Sequence, residues 1–201
     1  MHELFESFNL GNWNGTSDLF ESFSNEGWDP SREDDEFSVS LSNAIKSRIF
    51  ADKMFTLVYK IPNAKVNRIK IFARDVFEKL NPGASWEVFI NGNSIGNEVI
   101  PSGYYILTEN DKSKEYLKVE LYFPEWGEPD GPTNLSRLFY NCSTLHDIIS
   151  IPKDCSCVRN IAEFFGKQSI PFDKERRKKI IQLFKEAHLP PKQMALDFIE
   201  V

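Results

Sequence analysis

The chain has 201 residues, enough for one domain of ordinary size with an added arm. It is 41% hydrophobic and 27% charged, and no apolar run approaches the length of a membrane-spanning helix, which excludes one. The net charge of −6 hides an asymmetry: residues 1–40 carry ten acids against Arg32 alone, a net −9, so the remainder sums to +3.

Such an arm should avoid nucleic acid and anionic membrane and favour a basic protein surface. The start, MHELFESF, has no basic n-region and no apolar core, so no secretory signal is expected. Three cysteines cannot all pair with one another. Together these features predict a reducing, cytoplasmic setting.

The first element is a duplication. Residues 3–13 read ELFESFNLGNW and residues 18–28 read DLFESFSNEGW. Leu4, Phe5, Phe8 and Trp13 align with Leu19, Phe20, Phe23 and Trp28 at a constant offset of 15 residues. Within each copy the leucine and the two phenylalanines would share one helix face. Each copy is too short to hold a helix alone in water, so each needs a surface to fold against. One reading docks both copies on this protein's own body. The other makes them linear motifs that enter a partner's groove, with Phe and Trp as anchors and avidity from two copies. The second reading is adopted here because −9 over forty residues opposes tight packing. The arm is expected to span residues 1–36 and to end at the charged stretch SREDDE, residues 31–36.

Residues 37–201 are expected to form a single α+β domain, sheet-rich over 37–123 and helical over 133–201. Phe37, Val39 and Leu41 alternate with serines as a strand would. MFTLVYKI, 54–61, reads as a buried strand. Val66, Ile69, Phe72, Ala73, Val76, Phe77 and Leu80 fall on a helical stripe that Asn63 would cap and Asn81-Pro82-Gly83 would end. Strands follow at 86–90, 104–109 and 116–123, with a turn at Asn91-Gly92. PEWGEPDGP, 124–132, is loop. Leu135, Leu138, Phe139, Cys142, Leu145 and Ile149 then recur at helical spacing. Asp154 would cap a helix carrying Val158, Ile161, Phe164 and Phe165, and Asp173 one carrying Ile180, Ile181 and Phe184. The sum is an antiparallel sheet of about five strands with helices on one face, a helical C-terminal third and an acidic N-terminal arm.

Cys142, His146, Cys155 and Cys157 lie within sixteen residues and offer the four soft ligands of a structural zinc. Their order, C-x3-H-x8-C-x-C, fits no common zinc spacing, and Cys142 sits on an apolar stripe, so core thiols are the competing reading. Apart from zinc, no cofactor is expected. A Cys155–His146 catalytic pair is a further alternative, although nothing nearby supplies the rest of a hydrolase site. The run Lys174, Glu175, Arg176, Arg177, Lys178, Lys179 offers either a solvated helix face or a receiver for acidic or phosphate groups. Phosphate-binding glycine loops, G-x-S-x-G and H-E-x-x-H are absent.

The chain therefore reads as a non-enzymatic protein-binding protein, inhibitor-like or immunity-like. It would cover a basic, nucleic-acid-acting partner with an acidic and aromatic surface, contacting neither membrane nor nucleic acid itself. The alternatives are a regulatory adaptor or transcription-type factor that uses the repeated motif as bait, a zinc-stabilised nucleic-acid binder, and a cysteine enzyme.

Overall fold

The computed structural model describes residues 50–96, 99–166 and 172–194. The duplicated arm and the strand expected at 37–41 lie outside these residues. The fold is α+β. Strands β1 (Met54–Lys60), β3 (Glu87–Ile90), β4 (Asn93–Ser94), β6 (Tyr116–Tyr122) and β7 (Leu145–Ser150) form one sheet in the order β4-β3-β6-β1-β7. Every pairing in it is antiparallel. Strands β2 (Arg68–Lys70) and β5 (Tyr104–Ile106) form a separate antiparallel pair. The helices are α1 (Arg74–Leu80), α2 (Glu109–Lys112), α3 (Lys174–Glu186) and α4 (Pro191–Met194). None of the described helices is long and apolar enough to cross a membrane.

The central strands follow from alternation. Phe55, Leu57 and Tyr59 of β1 are fully buried, as are Leu117, Val119 and Leu121 of β6. The register sets Phe55 opposite Leu121, Leu57 opposite Val119 and Tyr59 opposite Leu117, so six apolar side chains share one face. Against that face lies an aromatic cluster. Phe55 meets Phe123 at 6.2 Å, Trp126 at 6.0 Å and Phe139 at 5.8 Å between ring centres, each edge-on. Edge-on contact sets the positive rim of one ring against the negative face of the next. Phe77 of α1 and Ile180 and Phe184 of α3 belong to the same core.

Three of the expected elements need correction. The stripe over 63–80 splits: Ile69 lies in β2, and the helix begins only at Arg74. Asn63 does not start it; its Oδ1 accepts from Lys65 N in a local turn. The stripe from Leu135 to Ile149 is not a helix but a run of turns that leads into β7. Leu138 N donates to Leu135 O, Tyr140 N to Arg137 O and Cys142 N to Phe139 O, while Arg137 and Asn141 take left-handed φ of 58° and 59°. Turns three residues apart send side chains inward at the spacing of a helix. Asp154 likewise caps no helix; its Oδ1 accepts from Ser156 N at 2.8 Å, and residues 155–166 are turns. Asp173, by contrast, caps α3 as expected, accepting from Arg176 N at 2.8 Å.

The two turn segments stack on one another. Leu135, Arg137 and Phe139 donate their backbone N–H to the carbonyls of Asn160, Ala162 and Phe164, at 2.7, 3.1 and 2.9 Å. The coils repeat each other: Asn134-Leu135-Ser136-Arg137-Leu138-Phe139 lies along Asn160-Ile161-Ala162-Glu163-Phe164-Phe165. Asn134 and Asn160 each accept, through Oδ1, the backbone N–H two residues on. Arg137 and Glu163 share the left-handed conformation and pair with each other. A buried amide closes each edge of the stack. Asn81 Oδ1 accepts from Thr133 N and Asn134 N on one side, and its Nδ2 donates to Asn134 O. On the other side Gln193 Oε1 accepts from Ile161 N, and its Nε2 donates to Arg159 O.

Asp111 links β5 to α2. The carboxylate, 4% exposed, accepts from Thr108 N, Thr108 Oγ1 and Tyr105 Oη at 2.9, 2.7 and 3.0 Å. Burial alone would raise its pKa, but these donors and the nearby Lys114 charge hold it below the ordinary aspartate value. A carboxyl depressed by folding contributes stability above its unfolded pKa of about 3.9 and loses it as pH falls through the lower folded value. Wild type should therefore exceed Asp111→Asn in stability at neutral pH, with the gap narrowing below about pH 4. Urea titrations at several pH values read this directly; a gap constant with pH would contradict it.

Candidate functional site

The motif residues Leu4, Phe5, Phe8, Trp13, Leu19, Phe20, Phe23 and Trp28 lie outside the described residues. The four zinc-ligand candidates are all described, and their side chains go separate ways. Cys142 is fully buried and its thiol faces the carbonyl of Ile71. Cys155 is fully buried and faces the carbonyl of Pro152. Cys157 is half-buried beside Trp126 and Gly127. His146 stacks on Tyr116 at 5.0 Å, and its Nε2 lies 3.1 Å from Arg176 Nη2. An arginine nitrogen only donates, so that Nε2 accepts and is engaged. Among the described residues no three His, Cys, Asp or Glu side chains gather where one ion could reach them.

The same placement bears on nucleophilic chemistry. Burial pushes the Cys142 and Cys155 thiols far above the ordinary range; Cys157 and Asp154 push Cys155 further. Burial also raises Cys157, although the backbone N–H groups of Gly127 and Cys157 oppose it. Only the thiolate attacks, so none of the three is activated. In the native chain iodoacetamide should modify Cys157 first, and all three should react only in denaturant. Rapid native labelling of Cys155, read by mass spectrometry, would contradict this placement.

The basic run of α3 is mostly engaged by its own surroundings. Arg176 bonds Asp173 at 3.0 Å, Lys178 pairs with Glu175 and Lys179 with Asp147 at 3.0 Å each, and Arg177 donates to Phe172 O. Among the described residues only Lys174 of the run makes no ion pair or side-chain hydrogen bond. The last two residues of the run thus serve mainly to tie α3 to itself and to β7.

Two depressions mark the described surface. An open groove of about 740 Å³ runs between α1 (Val76, Lys79, Leu80) and the turn stack (Ser136, Arg137, Glu163). A smaller one of about 360 Å³ is lined by Lys53, Trp126, Lys153, Asp154, Cys157 and Arg159. Its cations are partly neutralised: Lys53 reaches Glu128 at 3.5 Å and Lys153 reaches Asp52 at 4.0 Å.

A third feature drew no attention in the sequence because three separate segments build it. Arg68 and Lys70 of β2, Tyr104 of β5, and Arg137 and Tyr140 of the first coil lie in one row. The Arg68 guanidinium stands 4.6 Å from the Tyr104 ring centre, and Lys70 Nζ stands 6.0 Å from Tyr104 and 5.9 Å from Tyr140. Arg137 stands 5.7 Å from Tyr140. Cation and ring alternate along the row, each contact within the range of a cation–π attraction. Only the spacing of residues after folding makes it visible.

No family model matches this chain, and no curated protein or solved structure matches it either.

Proposed function

We propose that this chain is a protein-binding protein without chemistry of its own, inhibitor-like or immunity-like, that covers a basic, nucleic-acid-acting partner. The observation that carries the reading is the duplicated LFESF motif within an arm of net charge −9. Anchoring aromatics at helical spacing suit a groove, carboxylates between them suit a basic rim, and two copies raise avidity. The described body supports the reading in one respect: its cysteines are buried with raised pKa values, which removes the nucleophile that a cysteine enzyme would need.

The test is capture with a matched control. Full-length chain and a variant with Phe5, Phe8, Phe20 and Phe23 replaced by Ala are immobilised and exposed to native lysate. The wild type should retain a basic, nucleic-acid-acting protein that the variant loses, and adding wild type should suppress that protein's activity. Restoring one motif should restore part of the retention. Equal retention by both baits, or a retained partner that is acidic, would contradict the proposal.

A further inference from the structure

The β2–β5 pair has a core face and an open face. Ile69 and Tyr105 turn inward, at 1% and 5% exposure. Arg68, Lys70, Tyr104 and Ile106 share the other side, because Arg68 pairs with Ile106 and Lys70 with Tyr104 across the strands. Ile106 is 62% exposed, the most exposed large hydrophobic among the described residues. Tyr140 extends this face through Lys70. Among the described residues no carboxylate pairs with Arg68 or Lys70, whereas Arg137 at the end of the row has Glu163. The face therefore offers two positive charges without carboxylate partners, two rings and one bare aliphatic side chain.

We propose that this face is the docking site, in cis, for the acidic-aromatic arm of the same chain, with an LFESF motif as its ligand. The inference rests on the reading of that motif as a docking element. Its chemistry matches item for item: Glu6 or Glu21 meets Arg68 and Lys70, and the leucine and phenylalanines of a copy cover Ile106 and the tyrosine rings. Single-stranded nucleic acid shares the negative charge and the stacking rings. Two observations favour the arm over it. An exposed isoleucine adds nothing to phosphate binding, and any nucleic acid must compete with a −9 segment on the same chain.

Reach is not limiting. Residues 37–49 separate the arm from Phe50, and thirteen residues span up to about 45 Å at roughly 3.3–3.6 Å each. A domain of this size has a radius of gyration of only about 15 Å. Tethering of this kind gives effective concentrations in the millimolar range, so a weak contact is occupied and yet yields to a tighter partner. The body would thus hold its own bait until a basic partner competes for it.

The test is hydrogen exchange, read by mass spectrometry on the full chain, wild type against Arg68→Glu/Lys70→Glu. Amides of residues 3–8 or 18–23 should exchange about fivefold or more slowly in wild type than in an unstructured chain. That protection should vanish in the double variant and fall steeply between about 0.15 M and 1 M salt. Peptides covering Leu117–Leu121 should exchange alike in both proteins, which controls for loss of fold. Unprotected motifs in wild type, or protection that survives charge reversal, would overturn the proposal. So would a short oligothymidylate that binds wild type at physiological salt and not the double variant, since the face would then belong to nucleic acid. The partner-binding role is scored separately, by capture: Arg68→Glu/Lys70→Glu should retain the partner at least as well as wild type. A quadruple Phe→Ala bait that still captures it would sink the functional reading and leave the exchange result standing.

Discussion

Asn81→Leu is expected to destabilise the protein by about 3–5 kcal/mol, a large share of the roughly 5–15 kcal/mol typical of a domain. The side chain is 7% exposed and makes four hydrogen bonds at the edge of the turn stack. Leucine is close in volume, so packing changes little. What changes is that Thr133 N, Asn134 N and Asn134 O lose their partner. Each buried polar group left unpaired costs about 1–3 kcal/mol. The fourth bond matters less, because Phe77 O still accepts from the backbone N–H of residue 81. Urea denaturation measures the effect. A loss under about 1 kcal/mol would mean that the amide does not hold the stack together.

Gly103→Ala is expected to cost about 3–5 kcal/mol, for two separable reasons. Gly103 has φ of +87°, and its carbonyl accepts from Ile71 N at 2.8 Å. A Cβ there would lie 1.6 Å from Phe72 O and 2.8 Å from Phe72 C, both backbone atoms. The β2–β5 pair would have to lift away from Phe72, one of the fully buried side chains of the core. Gly83 supplies the control, with φ of +85° and nothing within 4 Å of its Cβ. Gly83→Ala should cost only the conformational part, about 1–2 kcal/mol. Thermal melts of the two variants separate clash from strain: at roughly 2–4 °C per kcal/mol, Gly103→Ala should melt several degrees lower than Gly83→Ala. Equal melting temperatures would refute the close approach.

The two substitutions bracket what could be read before folding. Strands β1, β3 and β6 and helix α3 were legible because one period dominates each: alternation in Phe55-Leu57-Tyr59 and Leu117-Val119-Leu121, and a cap followed by i, i+4 apolar positions in α3. Residues 134–166 misled because stacked three-residue turns repeat at nearly the helical period. The discriminating signal was the recurrence of Asn-[Leu/Ile]-x-x-[Leu/Phe]-Phe at 134 and 160, which helices do not require. Asn81 and Gln193 gave no sign of their capping roles, since each bonds backbone far along the chain. The same distance hid the cation–tyrosine row, whose members come from β2, β5 and the first coil. Only the arm's motif was complete in sequence, because a linear motif needs no tertiary structure to bring its residues together.

The central claim is that the arm works as a ligand rather than as part of the core. A thermal melt of the quadruple variant (Phe5, Phe8, Phe20 and Phe23 to Ala), read beside wild type, tests it most directly. A surface contact in cis is worth little to global stability, so the account predicts melting temperatures within about 2 °C. Were the four rings core residues, each truncation would cost about 3–5 kcal/mol, more in total than a domain of this size can absorb. A variant that fails to fold, or melts far below wild type, would contradict the account.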